Sequence, residues 1–550
     1  MALSLVASSQ SQAEAEPTTP VNPRAAPRYI VERIAKQYAH PDYLAFQNQL
    51  GAGKVPLASP NAGLAGFRSQ FSVWDLINDA VDGTGGFVDG SYLIPHELEL
   101  GGMVPGNFTN KFRERQQLAR YDKFPKVICD GPWNSIISMK DVIQRDAQSH
   151  PRLEEFWDSV DGNNTSILDF LEYPVSQARR FGTGWIFLDR QRDIQNLKDD
   201  LAAQPWAYSV PTRNVVWWEF SRYGALDAVA YRDPGPDDPM TYDEKTLSPL
   251  MVWTTRSWSR WVPTGESDVP YRLDAGRSGP NRLGRVPAVL IYDEWPGCGK
   301  ALGKSSMLST ARDGMDIFNR DSEIREIERR CAFPVLGVNM EDTSAAGEIK
   351  IGTNGALIYD GKVPPGYIEP VLNSIDKLQS ERKAVKEASY TNSEMAGLIG
   401  HAGTVETSSG FHAEVELDKS ERKIGRFASS VETAENKIAS LFLELIGESD
   451  EEYSVSYPRR FGLMDPEKVI DRTVKRLNMG LGQMDQKEVL LDYYASMYPR
   501  RTKEEIEGLA NAAVAEKVQR LADEQKAEQD AARQLTARGR LMMAAGKVGA

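Results

Sequence analysis

Residues 286–338 read VPAVLIYDEWPGCGKALGKSSMLSTARDGMDIFNRDSEIREIERRCAFPVLGV, and the order of elements inside this stretch governs the reading of the whole chain. It opens with an apolar run ending at Tyr292 and bounded by Asp293 and Glu294, the pattern of a buried strand. Pro296, Gly297, Gly299 and Gly303 then crowd into a turn. Ser305 or Ser306 can cap a helix that runs to about Ala332. Its apolar stripe is Leu308, Ala311, Met315 and Phe318, then Ile324, Ile327 and Cys331, with a slip of register near Asp321 and Ser322. At 1.5 Å per residue such a helix is roughly 40 Å long.

Towards the C-terminus, "FPVLGVNM" and "EIKIGTNGALIYDG" break the helical pattern and read as strands with turns, closed by Pro364, Pro365 and Gly366. A second helix starts near Asn373 and Ser374. Val371, Ile375, Leu378, Val385, Ala388 and Met395 form its stripe, and Arg382 and Asn392 interrupt it, which suits a face that is only partly buried. The segment "IGHAGTVETSSG", residues 399–410, reads as a mobile loop. A third helix runs from about Phe411 to Ile446, its apolar positions running Ile424, Phe427, Val431, Ala434, Ile438, Leu441 and Leu445, with a bend expected at Gly425. Helices continue to the end of the chain. Asp465–Pro466 reads as a cap, and Asp485 with Glu488 and Thr502 with Glu505 read as capping boxes. The stretch from Glu504 to Leu541 is an Ala-rich, solvated helix.

Towards the N-terminus the chain turns β-rich. "GWIFLD", "WAYSVP", "NVVWWEF", "ALDAVAYRD", "LMVWTTRSWSRWV" and "VPAVLIYDEW" recur between residues 184 and 295 with Pro, Gly and Asp between them, the signature of an antiparallel sheet. Trp217, Trp218, Trp253, Trp258 and Trp261 are expected to pack its core. A stacking platform for bases would need basic neighbours, and only Arg222, Arg256 and Arg260 are close in sequence. Residues from about Ile143 to Phe181 read as helical, residues near Tyr29 to Tyr38 likewise, and residues 1–26 as a disordered tail.

The bulk numbers narrow the function classes. The chain has 550 residues, 41% hydrophobic and 26% charged, the balance of a globular protein. No uncharged apolar run reaches membrane-spanning length, and Met1–Ala7 is too short for a signal-peptide core. Cys129, Cys298 and Cys331 lie far apart with no CxxC pair, and the five histidines have no metal-ligand spacing, so neither a zinc site nor a disulfide framework is expected. The net charge of −13 argues against a sequence-reading DNA binder. It is compatible with a conduit in which DNA must slide.

Two motifs look catalytic and fall short. "PGCGKALGKSS" approaches a phosphate-binding loop, but the spacing G-x-x-x-x-G-K-[ST] counted back from Gly303 requires glycine at 298, where Cys298 stands between Gly297 and Gly299. "AVLIYDE" resembles a magnesium-holding strand, yet it precedes the loop instead of following it. Glu154 and Asp158 share a helix face, a spacing typical of solvated carboxylates. "IYDG" at 358–361 shows no acid–base geometry, and no Ser-His-Asp arrangement is suggested.

Taken together, the proline-led strand, the G-K-S-S-M turn, the long helix, "GTNGALIYDG", "GYIEP", the second helix, the glycine-bearing loop and the long third helix resemble the portal proteins of tailed bacteriophages over residues 180–450. "WAYSVPTRNVVWWEF" with "ALDAVAYRD" resembles the sheet of one portal subgroup. The resemblance implies an α+β portal fold. Residues 27–304 would form a β-rich wing, 305–332 and 373–398 a two-helix stem, and 333–372 a small α/β clip. Residues 399–410 would be a tunnel loop, 411–462 a long bent helix returning to the wing, and 463–550 an α-helical crown.

It further implies a ring of subunits, typically twelve, at one capsid vertex. Such a ring passes double-stranded DNA without reading its sequence. Its partners would be the terminase, adaptor or neck proteins, the major capsid protein and a scaffold protein. It would sit in the virion, and in the host cytoplasm during assembly, with no cofactor, no membrane and no catalytic activity. His401, Thr404, Val405, Thr407 and Ser408 in the loop, Arg329 and Arg330 on the first helix, and Lys377, Arg382, Lys383 and Lys386 on the second become DNA-channel candidates. Asn339, Glu341, Asp342, Glu348, Lys350 and Lys362 become candidates for docking at the clip. The arginines of the first helix, interleaved with Asp313, Asp316, Asp321, Glu323, Glu326 and Glu328, are expected to pair within and between subunits. The alternatives are a degenerate phosphate-loop packaging ATPase, and another scaffold or adaptor protein of the virion.

Overall fold

The computed structural model of the chain describes residues 26–37, 73–96, 99, 109–147, 150–190, 203–233, 248–265, 269–331, 335–339, 356–359, 366–368, 373–396, 410–448, 453–461, 470, 473–474, 476–477, 483–498, 501, 504–520, 523 and 526. The fold is α+β. Its first part is helical: α1 (Pro27–Gln37), α2 (Val73–Asp82), the single turn α3 (Gly86–Asp89), α4 (Asn110–Leu118) and α5 (Phe124–Ile137). The helix expected over Ile143–Phe181 is three elements, namely β1 (Gln144–Asp146), α6 (Pro151–Asp158) and α7 (Ile167–Phe181). Pro151 starts a fresh helix, because proline suits the first helical turn. The turn that follows holds Gly162 and Asn164 at positive φ, and Ser166 then caps α7 by accepting from the Asp169 amide at 3.3 Å.

The aromatic-rich region makes two sheets. β2 (Thr183–Asp189), β3 (Trp206–Val210), β4 (Val215–Phe220), β5 (Leu226–Arg232), β6 (Leu250–Thr254), β7 (Ser257–Pro263), β8 (Tyr271–Pro280) and β9 (Ala288–Tyr292) follow in order. β2 lies between β3 and β9, both antiparallel to it, while β4 to β8 form a five-stranded antiparallel meander. Every strand read from residues 184–295 is present. β8 was not read, because its solvent-facing sequence YRLDAGRSGP has no hydrophobic alternation and it is an edge strand. Trp217, Trp218 and Trp253 are buried as expected, and Trp258 and Trp261 pack half-exposed on the same core.

The long helix α8 spans Met307–Cys331. A small sheet follows, in which β10 (Val335–Asn339) lies between β11 (Ala356–Tyr359), parallel to it, and β12 (Gly366–Ile368), antiparallel to it. α9 (Asn373–Asn392) returns beside α8. α10 (Gly410–Ile446) is about 55 Å long at 1.5 Å per residue. β13 (Ser454–Ser456) pairs back onto β1, then α11 (Gln483–Met497) and a helix at 504–520 end the described part.

α10 is continuous through Gly425, where a Cβ would meet the Arg459 carbonyl oxygen at 3.2 Å, so glycine there permits a close backbone approach. One detail differs from expectation. α11 starts at Gln483, which puts Asp485 inside the first turn, where its charge suits the helix dipole, and not at the cap. Asp465, Pro466 and Thr502 lie outside the described residues, as do residues 1–25.

One contiguous core joins α1, the two sheets, the root of α8 and the C-terminal two-thirds of α10. Met307, Ala311, Ile317 and Phe318 of α8 are fully buried in it. Phe87 stacks on Tyr121 with centroids 3.7 Å apart, and Phe318 meets Phe87 edge-on at 5.3 Å.

Candidate functional site

The turn between β9 and α8 is closed by a bridge between Glu294 and Lys304. Its backbone lies so near the end of α7 that a Cβ on Gly303 would sit 2.3 Å from the Gly182 carbonyl oxygen, and one on Gly182, at φ +85°, would sit 2.2 Å from that of Gly303. Glycine is therefore required on both sides of this contact. The Gly303 amide donates to Thr183 Oγ1 at 2.8 Å, and the Thr183 hydroxyl donates to the Ala301 carbonyl at 2.8 Å.

At the helix N-terminus the amide and the hydroxyl of Ser306 both donate to Asp293 Oδ2, at 2.9 and 2.8 Å. The Met307 amide donates to Ser305 Oγ at 3.0 Å. Helix N-termini attract anions, and here the anion is the chain's own carboxylate. Asp293 is held in turn by Arg179, each side chain 1% exposed. The other two guanidinium nitrogens of Arg179 donate to the carbonyls of Cys129 (3.2 Å) and Ile128 (3.0 Å), and the group lies over the Phe427 ring. Burial pushes the Cys129 thiol up to about 12. The turn that resembled a phosphate loop is thus a filled junction locking α8 to α5, α7 and α10.

The register slip in α8 has the same explanation. Asn319 and Ser322 are buried because they fasten the helix to residues 92–99. Asn319 Oδ1 accepts the Ile94 amide at 2.7 Å, and its Nδ2 donates to the Tyr92 carbonyl at 3.1 Å. Ser322 Oγ accepts from Arg115, which forms a buried pair with Glu99 at 2.6 Å. Sequence reasoning missed Arg115 and Glu99. The only signal was the pair of polar residues on an otherwise apolar stripe.

Beyond this root, α8 and α9 run antiparallel, with Asp313 near Ser389 at one end and the pairs Arg320–Glu381 and Asp321–Arg382 further along. Between them lies a cleft of about 430 Å³ lined by Asp321, Ile324, Arg325, Glu328, Gln379, Arg382, Lys383 and Lys386. The structure thus brings together three of the candidate cations and adds Arg325. Arg382 pairs with Asp321 at 2.6 Å, Lys386 with Asp122 at 2.6 Å, and Lys383 with Glu387 at 3.8 Å. Arg329 stands apart with Glu114 at 3.7 Å, and Lys377 is exposed. Burial raises the carboxyls of Asp313 and Asp321 above the usual aspartate range, with Arg382 pulling Asp321 back. His401, Thr404, Val405, Thr407, Ser408, Glu341, Asp342, Glu348, Lys350 and Lys362 lie outside the described residues. Arg330 is the last residue but one of α8 and Asn339 the last of β10.

A second charged junction binds α10 to the C-terminal helices around a pocket of about 230 Å³. Arg460 bridges Glu421 (3.2 Å) and Asp492 (2.6 Å), Arg476 also reaches Asp492 (3.2 Å), and Arg459 pairs with Glu432 (2.7 Å). Glu154 and Asp158 are exposed on α6, as solvated carboxylates. Among the described residues no group of three or more His, Cys, Asp or Glu is placed to hold a metal ion, and no helix is long and apolar enough to cross a membrane.

No protein-family profile matches the chain, and no curated protein matches it. Among solved structures, a chain in the neck of an empty GTA particle, computed with C6 symmetry, overlays 64% of this chain and 90% of its own length, at 11% identity and a TM-score of 0.33. A chain from the virion of the native gene transfer agent particle overlays 66% of this chain and 92% of its own, at 10% identity and a TM-score of 0.34. A third, from the neck of the native particle computed with C12 symmetry, overlays 65% of this chain and 91% of its own, at 10% identity and a TM-score of 0.35.

Proposed function

We propose that the chain is the subunit of a phage portal, a ring of about twelve copies, closed by rotational symmetry, through which double-stranded DNA passes. The observation that carries this reading is the antiparallel pair α8 and α9, rooted in the core at one end and joined at the other by the small β10–β12 sheet. The pair is charged on most exposed positions. A helix pair of that composition has little to bury alone and gains its packing from neighbours. In a ring, the pair is the wall of the channel, the β10–β12 sheet is the docking end for terminase and neck proteins, and the globular body faces the capsid protein and scaffold. The basic cleft side chains Arg382, Lys383 and Lys386 are already partnered by carboxylates. Any hold they take on phosphate competes with those pairs, which keeps it weak and lets DNA slide.

The role is structural, without catalysis. Support comes from Asp293, which occupies the amide at the N-terminus of α8 that a nucleotide phosphate would need. Light scattering with negative-stain microscopy tests the reading. Annular particles with a central hole, and no retention of ATP in equilibrium dialysis, are expected. A compact monomer that binds ATP would overturn it in favour of the ATPase.

A further inference from the structure

The chain is acidic overall, yet the outer hairpin of the five-stranded sheet is not. Between residues 248 and 299 there are six arginines, no lysine and five carboxylates, of which Asp293 and Glu294 pair with Arg179 and Lys423 while Glu266 and Asp268 lie outside the described residues. Two of the six are neutralised within the subunit: Arg260 by Asp233 and Asp274, and Arg285 by Glu444. The other four, Arg256, Arg272, Arg277 and Arg282, are exposed and have no carboxylate partner among the described residues. They follow β8, the edge strand, and the turns at its end, where the Asn281 amide bonds to the Arg256 carbonyl at 2.8 Å. β8 is four strands from β4, so the row stands about 19 Å from the other edge of that sheet at the usual strand spacing.

An opposite imbalance sits elsewhere on the body. α6 and α7 flank the other sheet, the Ala207 amide of β3 bonding to the Val160 carbonyl just beyond α6 at 2.8 Å. Glu154, Asp158 and Glu172 on these helices are exposed and have no basic partner among the described residues. A second copy of the chain accounts for both surfaces at once, since guanidinium groups match carboxylates in geometry as well as charge.

We propose that the arginine row on β8 of one subunit docks on the acidic α6–α7 face of the next, a head-to-tail contact that repeats around the assembly. This rests on the ring reading and names the surfaces that would hold the ring's outer body together.

Two charge-reversed full-length chains test it, Arg272→Glu/Arg277→Glu/Arg282→Glu and Glu154→Arg/Asp158→Arg/Glu172→Arg, with circular dichroism checking that each folds. The readout is the half-assembly concentration from light scattering at low salt. Each variant alone is expected to need at least tenfold more protein than wild type, because like charges then face each other at every contact. An equimolar mixture is expected to assemble at close to the wild-type concentration, since alternating copies restore opposite charges, and mere misfolding could not produce that rescue. If wild type forms rings and both variants do so equally well, or if folded variants fail to rescue one another, the contact is wrong while the ring reading stands. Wild type that never associates overturns both. If the arginine variant keeps its assembly and loses only binding to a DNA duplex, the row belongs to a polyanion and the proposal falls.

Discussion

Two of the charged junctions that hold helices to the body of this protein differ in solvent more than in chemistry. At the root of α8, Arg179 and Asp293 are each 1% exposed and each guanidinium nitrogen has a protein acceptor. At the C-terminal helices, Arg460 and Asp492 are 36% and 39% exposed. Water competes at the second and is excluded from the first. The difference teaches that an ion pair is a fastener only where breaking it strands a charge. Arg179→Met leaves Asp293 buried without its partner and weakens the anchor of α8. It is expected to cost about 3–5 kcal/mol, read as a fall in the urea midpoint at constant slope. The double variant Arg179→Met/Asp293→Leu strands no charge and is expected to recover part of that loss. Equal losses in the single and double variants would show that packing, not charge, makes this junction strong.

The same junction can be strained without touching its charges. Gly303→Ala places a methyl 2.3 Å from a backbone oxygen that cannot step aside alone. A loss of about 1–3 kcal/mol is expected, in the range of overpacked cores. A Cβ on Gly297, although its φ is +102°, would meet nothing within 4 Å. Gly297→Ala therefore reports backbone strain alone, whereas Gly303, which is not at positive φ, reports the close approach of the two chains alone.

This contrast also explains what could be read in advance. The strand–turn–helix order, the helix pair, the small sheet between them and the long third helix were legible, because apolar period and glycine turns are local signals. The Arg179–Asp293 and Arg115–Glu99 pairs were not, since their members lie 114 and 16 residues apart and nothing local marks an arginine as buried. Of the candidate site, the cations of α9 were named from their helix, but their carboxylate partners were not. Lys386 meets Asp122, 264 residues away, a contact made by folding and invisible to spacing. β8 was missed for the opposite reason, as its exposed arginines and glycines obey no core pattern.

At the exposed junction the expected effects are small. Asp492→Asn removes the acceptor shared by Arg460 and Arg476, yet both arginines remain solvated and Arg460 keeps Glu421. About 0–1 kcal/mol is expected, shrinking further as salt is added. A loss as large as that of Arg179→Met would mean that the C-terminal helices shield this pocket far more than its exposure indicates.

Between these extremes stand Asp313 and Asp321, half-buried where α8 meets α9, and they turn the comparison into a pH dependence. Burial raises both carboxyls, because it penalises the charged form. A carboxyl raised in the folded chain favours folding while it is protonated. That contribution is full below the unfolded-chain value of about 3.9, and is lost as pH rises through the folded value. Asp313→Asn keeps the neutral form at every pH. Its stability is expected to match wild type in acid and to exceed it slightly near neutrality, in urea midpoints collected across that range. Asp321→Asn is expected to gain less, because Arg382 at 2.6 Å already stabilises the charged carboxylate and would lose its partner. If the Asp321 variant gains as much as the Asp313 variant, then Arg382 contributes nothing to Asp321, and the cleft behaves like the solvated junction at the C-terminal helices. If both curves run parallel to wild type, burial at the helix pair is not what sets these two carboxyls.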